Sequence, residues 1–303
     1  MDAGQASVQD LLNAAEGLRP IFSCTAVGVA VFLYDYILSL HYEVEHIWKA
    51  KWNSVKFFFL LSRYLPFLEF SLLATYVLMD GSDPERCKIR YQSIAWLHCL
   101  GLAVTEILLT VRTWAVWEKS TRVGIFLIAF YIACWGPIVA LSYFYLHSVE
   151  FLVLPRPFDR HCINSGKSMF LTAMWVIILV YDTVILGLML VRGISALRLS
   201  NFHHFPVQKA VYNYGLIYYI YLFILTVVNL ACMVSLPFIY INLLSVIERS
   251  TYSIFTCRAI LHIREQHKRS HSYPSEEPFS QDMSQIVAHM SSGTRVLDWT
   301  PTN

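Results

Sequence analysis

The chain has 303 residues, of which 56% are hydrophobic and only 15% charged, against about 25% charged in a typical soluble domain. Its 23 Lys and Arg nearly cancel 21 Asp and Glu to leave a net charge of +2, so no basic excess points at nucleic acid. This composition sets aside an ordinary soluble core and makes lipid the expected solvent.

A hydrocarbon core ~30 Å thick takes roughly 20 mostly apolar residues of helix to cross. Stretches of that length run at Phe22–His41, Val55–Met79, Tyr91–Ala115, Val123–His147, Met169–Arg192, Val211–Ser235 and Pro237–His262. They predict an all-α fold, an integral membrane bundle of seven transmembrane helices over residues 22–264, behind an external segment 1–21. The opening residues hold Asp2, Asp10 and Glu16 and lack a basic start followed by an apolar core. No cleavable signal peptide is therefore expected, and the first helix serves as its own insertion signal. Residues 265–303 are polar and serine-rich, unable to bury enough surface to offset their ordering, and are read as a disordered cytosolic tail, inert or phosphorylated.

Orientation follows from where Lys and Arg gather near the helix ends. The connections after the first, third and fifth spans hold Lys49, Lys51 and Lys56, then Arg112, Lys119 and Arg122, then Arg192, Arg198 and Lys209. Arg258, Arg264, Lys268 and Arg269 follow on the same side. The other face holds fewer bases, among them Arg86, Lys88 and Arg90, offset by Asp80, Asp83, Glu85 and Asp159. The amino terminus is expected outside and the carboxyl terminus in the cytosol. Five of the cysteines fall inside spans as small apolar side chains. Cys87 and Cys162 fall in external connections, where an oxidising compartment lets disulfides persist. A Cys87–Cys162 bridge over the third helix is expected, with two free thiols as the alternative.

Ionisable groups at membrane depth normally face the bundle interior, since each costs roughly 2.5–3.5 kcal/mol near a helix centre on insertion scales. Here they are Asp35, Arg63, Glu69, Glu106, Asp182, Glu248 and Arg249. From a rise of about 1.5 Å per residue, Asp35, Arg63 and Glu106 fall at similar depth in the inner leaflet and are expected to form one polar layer. Glu69, Asp182, Glu248 and Arg249 fall nearer the midplane and are expected to form a second. Carboxylates outnumber arginines in this set. A carboxylate without a partner in a dry interior becomes neutral or holds a cation. Two readings stay open: a cavity for a cationic or polar ligand, a bound ion or a protonation switch on one side, and on the other a set of interhelical ties that lock the bundle, with the surplus acids protonated or hydrated. Pro66, Pro137 and Pro237 sit within or at the start of spans, where proline bends a helix and frees a carbonyl.

Several chemistries lack their residues. The last span holds no lysine to carry retinal, Lys56 at the edge of the second being the one lysine within a span, and His98 alone lies well inside one, so paired haem ligands are missing. His98 with Glu106 does not amount to a metal centre. No phosphate-binding glycine loop or serine elbow occurs, and no internal repeat of the transporter kind is evident. No cofactor, no metal and no enzymatic activity are expected.

The first span and its continuation read Tyr34-Asp35-Tyr36, Glu43, Glu45, Trp48, Lys51-Trp52, Lys56 and Arg63-Tyr64 with Pro66. This closely resembles the opening signature, about Val27 to Pro66, of a large fungal family of multi-pass membrane proteins catalogued as domain of unknown function 6533. Glu106 with Arg112-Thr113-Trp114-Ala115, and Arg258 through Ile263-Arg264-Glu265, are similar to that family's later patterns. The resemblance implies a seven-helix layout and brings no mechanism. Within the signature, Asp35 and Arg63 are expected to join the first two helices, and Trp48 and Trp52 with the lysines to sit at the inner headgroup region. Arg112, at a cytosolic helix end, is similar in position to the basic residue of G-protein-coupled receptors, although Thr110 and Val111 stand where an acid precedes it there. The orientation rule alone also places an arginine at that spot. The expected function is a receptor-like membrane protein, in the plasma membrane or an endomembrane, sensing a small-molecule ligand and signalling to a cytosolic partner. A transporter or channel using the buried carboxylates, and a structural scaffold, are the alternatives.

Overall fold

The computed structural model describes residues 2–78, 83–152, 163–165, 169–199, 206–236, 240 and 243–272. Among them the chain forms seven helices: α1 (Asp2–Glu43), which ends in a π-helical turn over Val44–Trp48, α2 (Ser54–Val77), α3 (Pro84–Val116), α4 (Thr121–Ser148), α5 (Met169–Leu199), α6 (Pro206–Ser235) and α7 (Ser245–Ser272). Two short strands, β1 (Glu150–Leu152) and β2 (Ile163–Ser165), pair antiparallel between α4 and α5 with Glu150 opposite Ser165. Three residues are too few to show an alternating pattern, so the hairpin was illegible in the sequence.

Local signals set the helix ends. Asn53 caps α2 by accepting the Lys56 amide at 2.8 Å. Asp83 caps α3 ahead of Pro84, whose missing N–H is an orphan at a helix start anyway. The turn from α3 to α4 puts Glu118 and Lys119 at φ of 55° and 57°, a left-handed conformation that costs side-chain-bearing residues roughly 1–2 kcal/mol each. The Trp114 indole donates to the Ser120 carbonyl at 3.1 Å and braces that turn. Arg192 of α5 pairs with Glu118 and lies over the Trp117 ring.

Among the described residues six helical segments are long and apolar enough to cross a bilayer: Arg19–Trp48, Ser54–Val77, Glu85–Val116, Thr121–Ser148, Met169–Gly193 and Leu216–Ser235. Ile125, Ile128, Ile132 and Val139 recur at helical spacing along one exposed stripe of α4, the surface that lipid would cover. The pattern is that of a multi-pass membrane protein.

The last helix departs from expectation. It begins at Ser245 rather than Pro237, which lies outside the described residues, and it does not qualify as an apolar span. Glu248, Arg249, Ser250, Thr251 and Ser253 fill its first turns. Protein takes the place of lipid around it: from Ser245 to His262 only Arg258 is exposed. Val246 and Ile254 pack with Phe32 and Phe70; Cys257 and Leu261 pack with Ile47 and Phe59; Tyr252 joins the largest cluster, with side chains from α3 to α6. Gly28 lets α1 approach α7, since a Cβ there would stand 3.0 Å from the Ile247 nitrogen.

The chain divides into two compact units, Met1–His262 and Ile263–Asn303. The described part of the second is the end of α7, which carries helix through Ser272 into the segment read as a disordered tail. At the other end, helix begins at Asp2, so the segment read as external, 1–21, is helical from that point.

Candidate functional site

Three polar clusters occupy the interior. The first lies between α1, α2 and α7. Asp35, Ser39 and Glu43 recur every four residues on α1 and therefore stack on one face. All three meet the fully buried Arg63 of α2. Its Nη1 donates to Asp35 Oδ2 at 2.9 Å, its Nε to Glu43 Oε2 at 3.3 Å, and its Nη2 to the Ser39 hydroxyl and the Tyr36 carbonyl. The guanidinium lies 5.0 Å from the centre of the Tyr36 ring. Arg258 of α7 donates to Asp35 Oδ1 at 2.5 Å. Tyr64 donates to Glu43 Oε1 at 2.7 Å, and the π turn brings the Trp48 indole, five residues on, to the same oxygen at 3.0 Å. Lys56 is held by the carbonyls of Trp48 and Ala50. Two acids face two arginines, and every carboxylate oxygen is bonded.

The second cluster bridges α2, α3 and α7. Glu69 accepts from Arg249 Nε at 3.1 Å through one oxygen and meets His98 Nδ1 at 2.8 Å through the other. Arg249 is fully buried and lies flat against Gly101, where a Cβ would come within 2.4 Å of the guanidinium. Its Nη1 and Nη2 have no hydrogen-bond partner among the described residues, nor has His98 Nε2.

The third cluster is formed by acids alone. Glu106 of α3, Asp182 of α5 and Glu248 of α7 are 2%, 8% and 0% exposed. Asp182 Oδ2 accepts from Thr226 at 2.8 Å and Tyr252 at 2.9 Å, and Glu248 Oε2 from Asn229 at 2.5 Å. Glu106 stands beside Asp182 and Glu248, and no donor among the described residues reaches either of its oxygens or Glu248 Oε1. No cation pairs with these three acids among the described residues. Nor is any group of three His, Cys, Asp or Glu arranged there to hold a metal ion.

The layers expected from depth are therefore redrawn. Glu106 does not join Asp35 and Arg63 but faces the other way, toward α5 and α7. Glu69 and Arg249 pair with each other, while Glu248 and Asp182 belong with Glu106. Depth along a helix fixes height and says nothing of azimuth, which is what divided them. Glu43, which the sequence offers only as part of the signature, and Arg258, counted there among the cytosolic bases, complete the first cluster; the four-residue spacing of Asp35, Ser39 and Glu43 was the available signal.

Residues 23–68 match the model of a family described as a family of unknown function, DUF6533. Over this segment the chain is similar to that family. No curated protein matches the chain. The DUF6533 segment holds every member of the first cluster except Arg258, so it encodes the α1–α2 hairpin of that cluster, whose charge balance Arg258 of α7 completes. Glu106, Asp182 and Glu248 all lie beyond it.

Cys87 is disulfide-bonded, while Cys24, Cys99, Cys134, Cys232 and Cys257 are free thiols. Cys162, the partner expected for Cys87, lies outside the described residues. Arg112 lies 5.7 Å from the centre of the Tyr219 ring of α6, with its Nη1 buried and unpartnered among the described residues.

Proposed function

We propose that this is a receptor-like, non-enzymatic membrane protein of seven spans, amino terminus outside, whose interior acids Glu106, Asp182 and Glu248 sense a small cation, the proton first. Burial of α7 by the other helices supports counting it as a seventh span. The bases after α1, α3 and α5 support the orientation, as does a disulfide at Cys87, expected in a connection and found in the first turn of α3. The observation that carries the sensing role is the want of any basic partner around the three acids among the described residues. A proton needs no cavity. It would let Glu106 and Asp182 bond to each other and so tie α3 to α5, and through Thr226 and Tyr252 to α6 and α7.

The groups facing Glu106 are Asp182 and Tyr181 on α5, Tyr131 on α4, and Glu248 and Tyr252 on α7. α6 contributes the neutral Thr226 and Asn229. Acids without a counter-cation are most cheaply buried neutral. Stability is therefore expected to be greatest where the cluster keeps its protons and to fall as pH rises. Thermal unfolding of the protein in lipid nanodiscs, followed across pH, tests this. Glu106→Gln or Asp182→Asn should flatten the profile, and a profile unchanged by both variants would refute the role.

A proton channel or transporter is the second reading, favoured by the buried unpartnered polar atoms that run along α3 and α7. Proton flux into proteoliposomes that is lost in Glu106→Gln would promote it.

A further inference from the structure

The connection between α1 and α2, residues 49–53, joins two segments long and apolar enough to cross a bilayer, so it lies at the membrane surface. Lys49, Lys51 and Lys56 stand in or beside it, and the structure divides them. Lys56 is buried: its Nζ donates to the Trp48 carbonyl at 3.0 Å and the Ala50 carbonyl at 2.8 Å, and lies 4.8 Å from the centre of the Trp52 ring. It closes the connection from within. Asn53 caps α2 at one end, and the Trp48 indole is tied to Glu43 at the other. Lys49 and Lys51 are exposed, and so are Trp48 and Trp52, at 57% and 73%. The acids nearest in the chain are engaged elsewhere: Glu43 is buried against Arg63, and Glu45 meets His41 at 4.0 Å.

We infer that this connection binds anionic phospholipid headgroups of the adjoining leaflet through Lys49 and Lys51, with Trp48 and Trp52 seated at headgroup level and Lys56 taking no part. Indoles favour the headgroup region, and exposed lysines beside a span attract lipids of net negative charge. A zwitterionic headgroup carries its own cation against its phosphate, so it gains less from the same lysines. A soluble acidic partner would have to reach bases flanked by two indoles at the bilayer surface, where lipid already is. Because the backbone here is pinned by Lys56, Asn53 and Trp48, little freedom is lost when a headgroup docks. The sequence alone puts all three lysines at this surface; burial withdraws one of them. The inference rests on α1 and α2 crossing the bilayer and not on the acid cluster.

The test uses the full chain in phosphatidylcholine nanodiscs carrying a trace of photoactivatable phosphatidylserine or photoactivatable phosphatidylcholine. Adducts within residues 48–55 are counted by mass spectrometry. Phosphatidylserine adducts are expected to exceed phosphatidylcholine adducts several-fold, and the excess to shrink in high salt. Lys49→Gln combined with Lys51→Gln should bring the excess toward parity, at about fivefold for each lysine near an anionic surface. Lys56→Met should lower thermal stability alike in neutral and anionic nanodiscs and keep the excess. Should Lys56→Met fail to fold, the wild type and the double variant, which alters exposed side chains only, carry the test. Equal adducts from the two lipids in the wild type overturn the inference, as does an excess that survives in the double variant. An excess lost in a folded Lys56→Met protein also overturns it, since the buried lysine would then be the headgroup ligand.

Discussion

The cluster around Arg63 and the cluster around Glu106 are both buried, both built from charged side chains on several helices, and differ in one respect. Around Arg63 the charges balance and each carboxylate oxygen has its donor, with Tyr64 and Trp48 filling what the arginines leave and Ser39 accepting from Arg63. Around Glu106 three acids share neutral donors, Thr226, Tyr252 and Asn229, and no cation pairs with them among the described residues. A balanced set of buried charges behaves as a lock, because any change leaves something uncompensated. An unbalanced set is already uncompensated and so can change state cheaply. The two regions teach that burial of charge is not one phenomenon: its consequence depends on whether the partners close the circuit.

The largest test of that contrast is the removal of Arg63. Arg63→Met would strand Asp35 and Glu43 in the interior, and breaking a buried pair from one side costs about 3–5 kcal/mol. Arg258 still reaches Asp35 but not Glu43, so the loss should fall toward the upper half of that range. Thermal unfolding in nanodiscs would read it as a large drop in Tm or as failure to accumulate. Adding Asp35→Asn and Glu43→Gln to Arg63→Met should recover much of the loss, since neutral partners need no counter-charge. Equal loss in the single and triple variants would mean that shape rather than charge balance holds α1 to α2. In the other cluster the same logic reverses. Glu106→Gln removes an acid that no cation among the described residues pairs with and should leave stability in neutral buffer unchanged or raised.

A smaller effect is expected at the seam between the two regions. A methyl group at Gly101 would meet the Arg249 guanidinium at 2.4–2.5 Å, and the arginine, buried and tied to Glu69, has little room to withdraw. Gly101→Ala should cost about 1–3 kcal/mol by overpacking. Gly136→Ala is its control, because nothing lies within 4 Å of the new methyl. Its helix propensity gain of roughly 0.8–1.0 kcal/mol should then appear unopposed. A Gly101→Ala protein as stable as wild type would show that Arg249 is not held where it lies.

The sequence disclosed the lock more readily than the switch, for a physical reason. Apolar runs long enough to cross a bilayer announced α1 to α6, and the nearness of Asp35 and Arg63 in a hairpin of short connection made their pairing easy to expect. α7 was harder. A helix wrapped by protein on nearly every side has no need of apolar residues to please lipid, so its start was drawn at the apolar Pro237 region rather than at Ser245. The partners of Glu106 were harder still. Asp182 and Glu248 stand far away in the chain, and only the angle at which α3, α5 and α7 face each other brings them together. Height in the membrane follows from counting residues; rotation about a helix axis in a bundle follows from packing, and that is not written locally. The Tyr252 and Glu248 pair, four apart on α7, was the legible half of the arrangement.

The least effect belongs to the edge of the lock, where it reaches the bilayer surface. Trp48 is 57% exposed, yet its indole N–H ends on the buried Glu43, because the π turn restores alignment at the fifth residue. Trp48→Phe keeps the ring at the headgroup level and removes only that hydrogen bond. Bonds to a charged acceptor contribute roughly 1.5–3 kcal/mol when dry. Here the indole is half open and Glu43 keeps Arg63 and Tyr64, so the loss should stay below about 1 kcal/mol. Trp48→Ala should cost more in lipid than in detergent, since it also removes the aromatic anchor at the interface. If Phe and Ala variants fell equally in both media, the hydrogen bond and not the anchor would be what Trp48 supplies, and the π turn would count as part of the lock itself rather than its mooring to lipid.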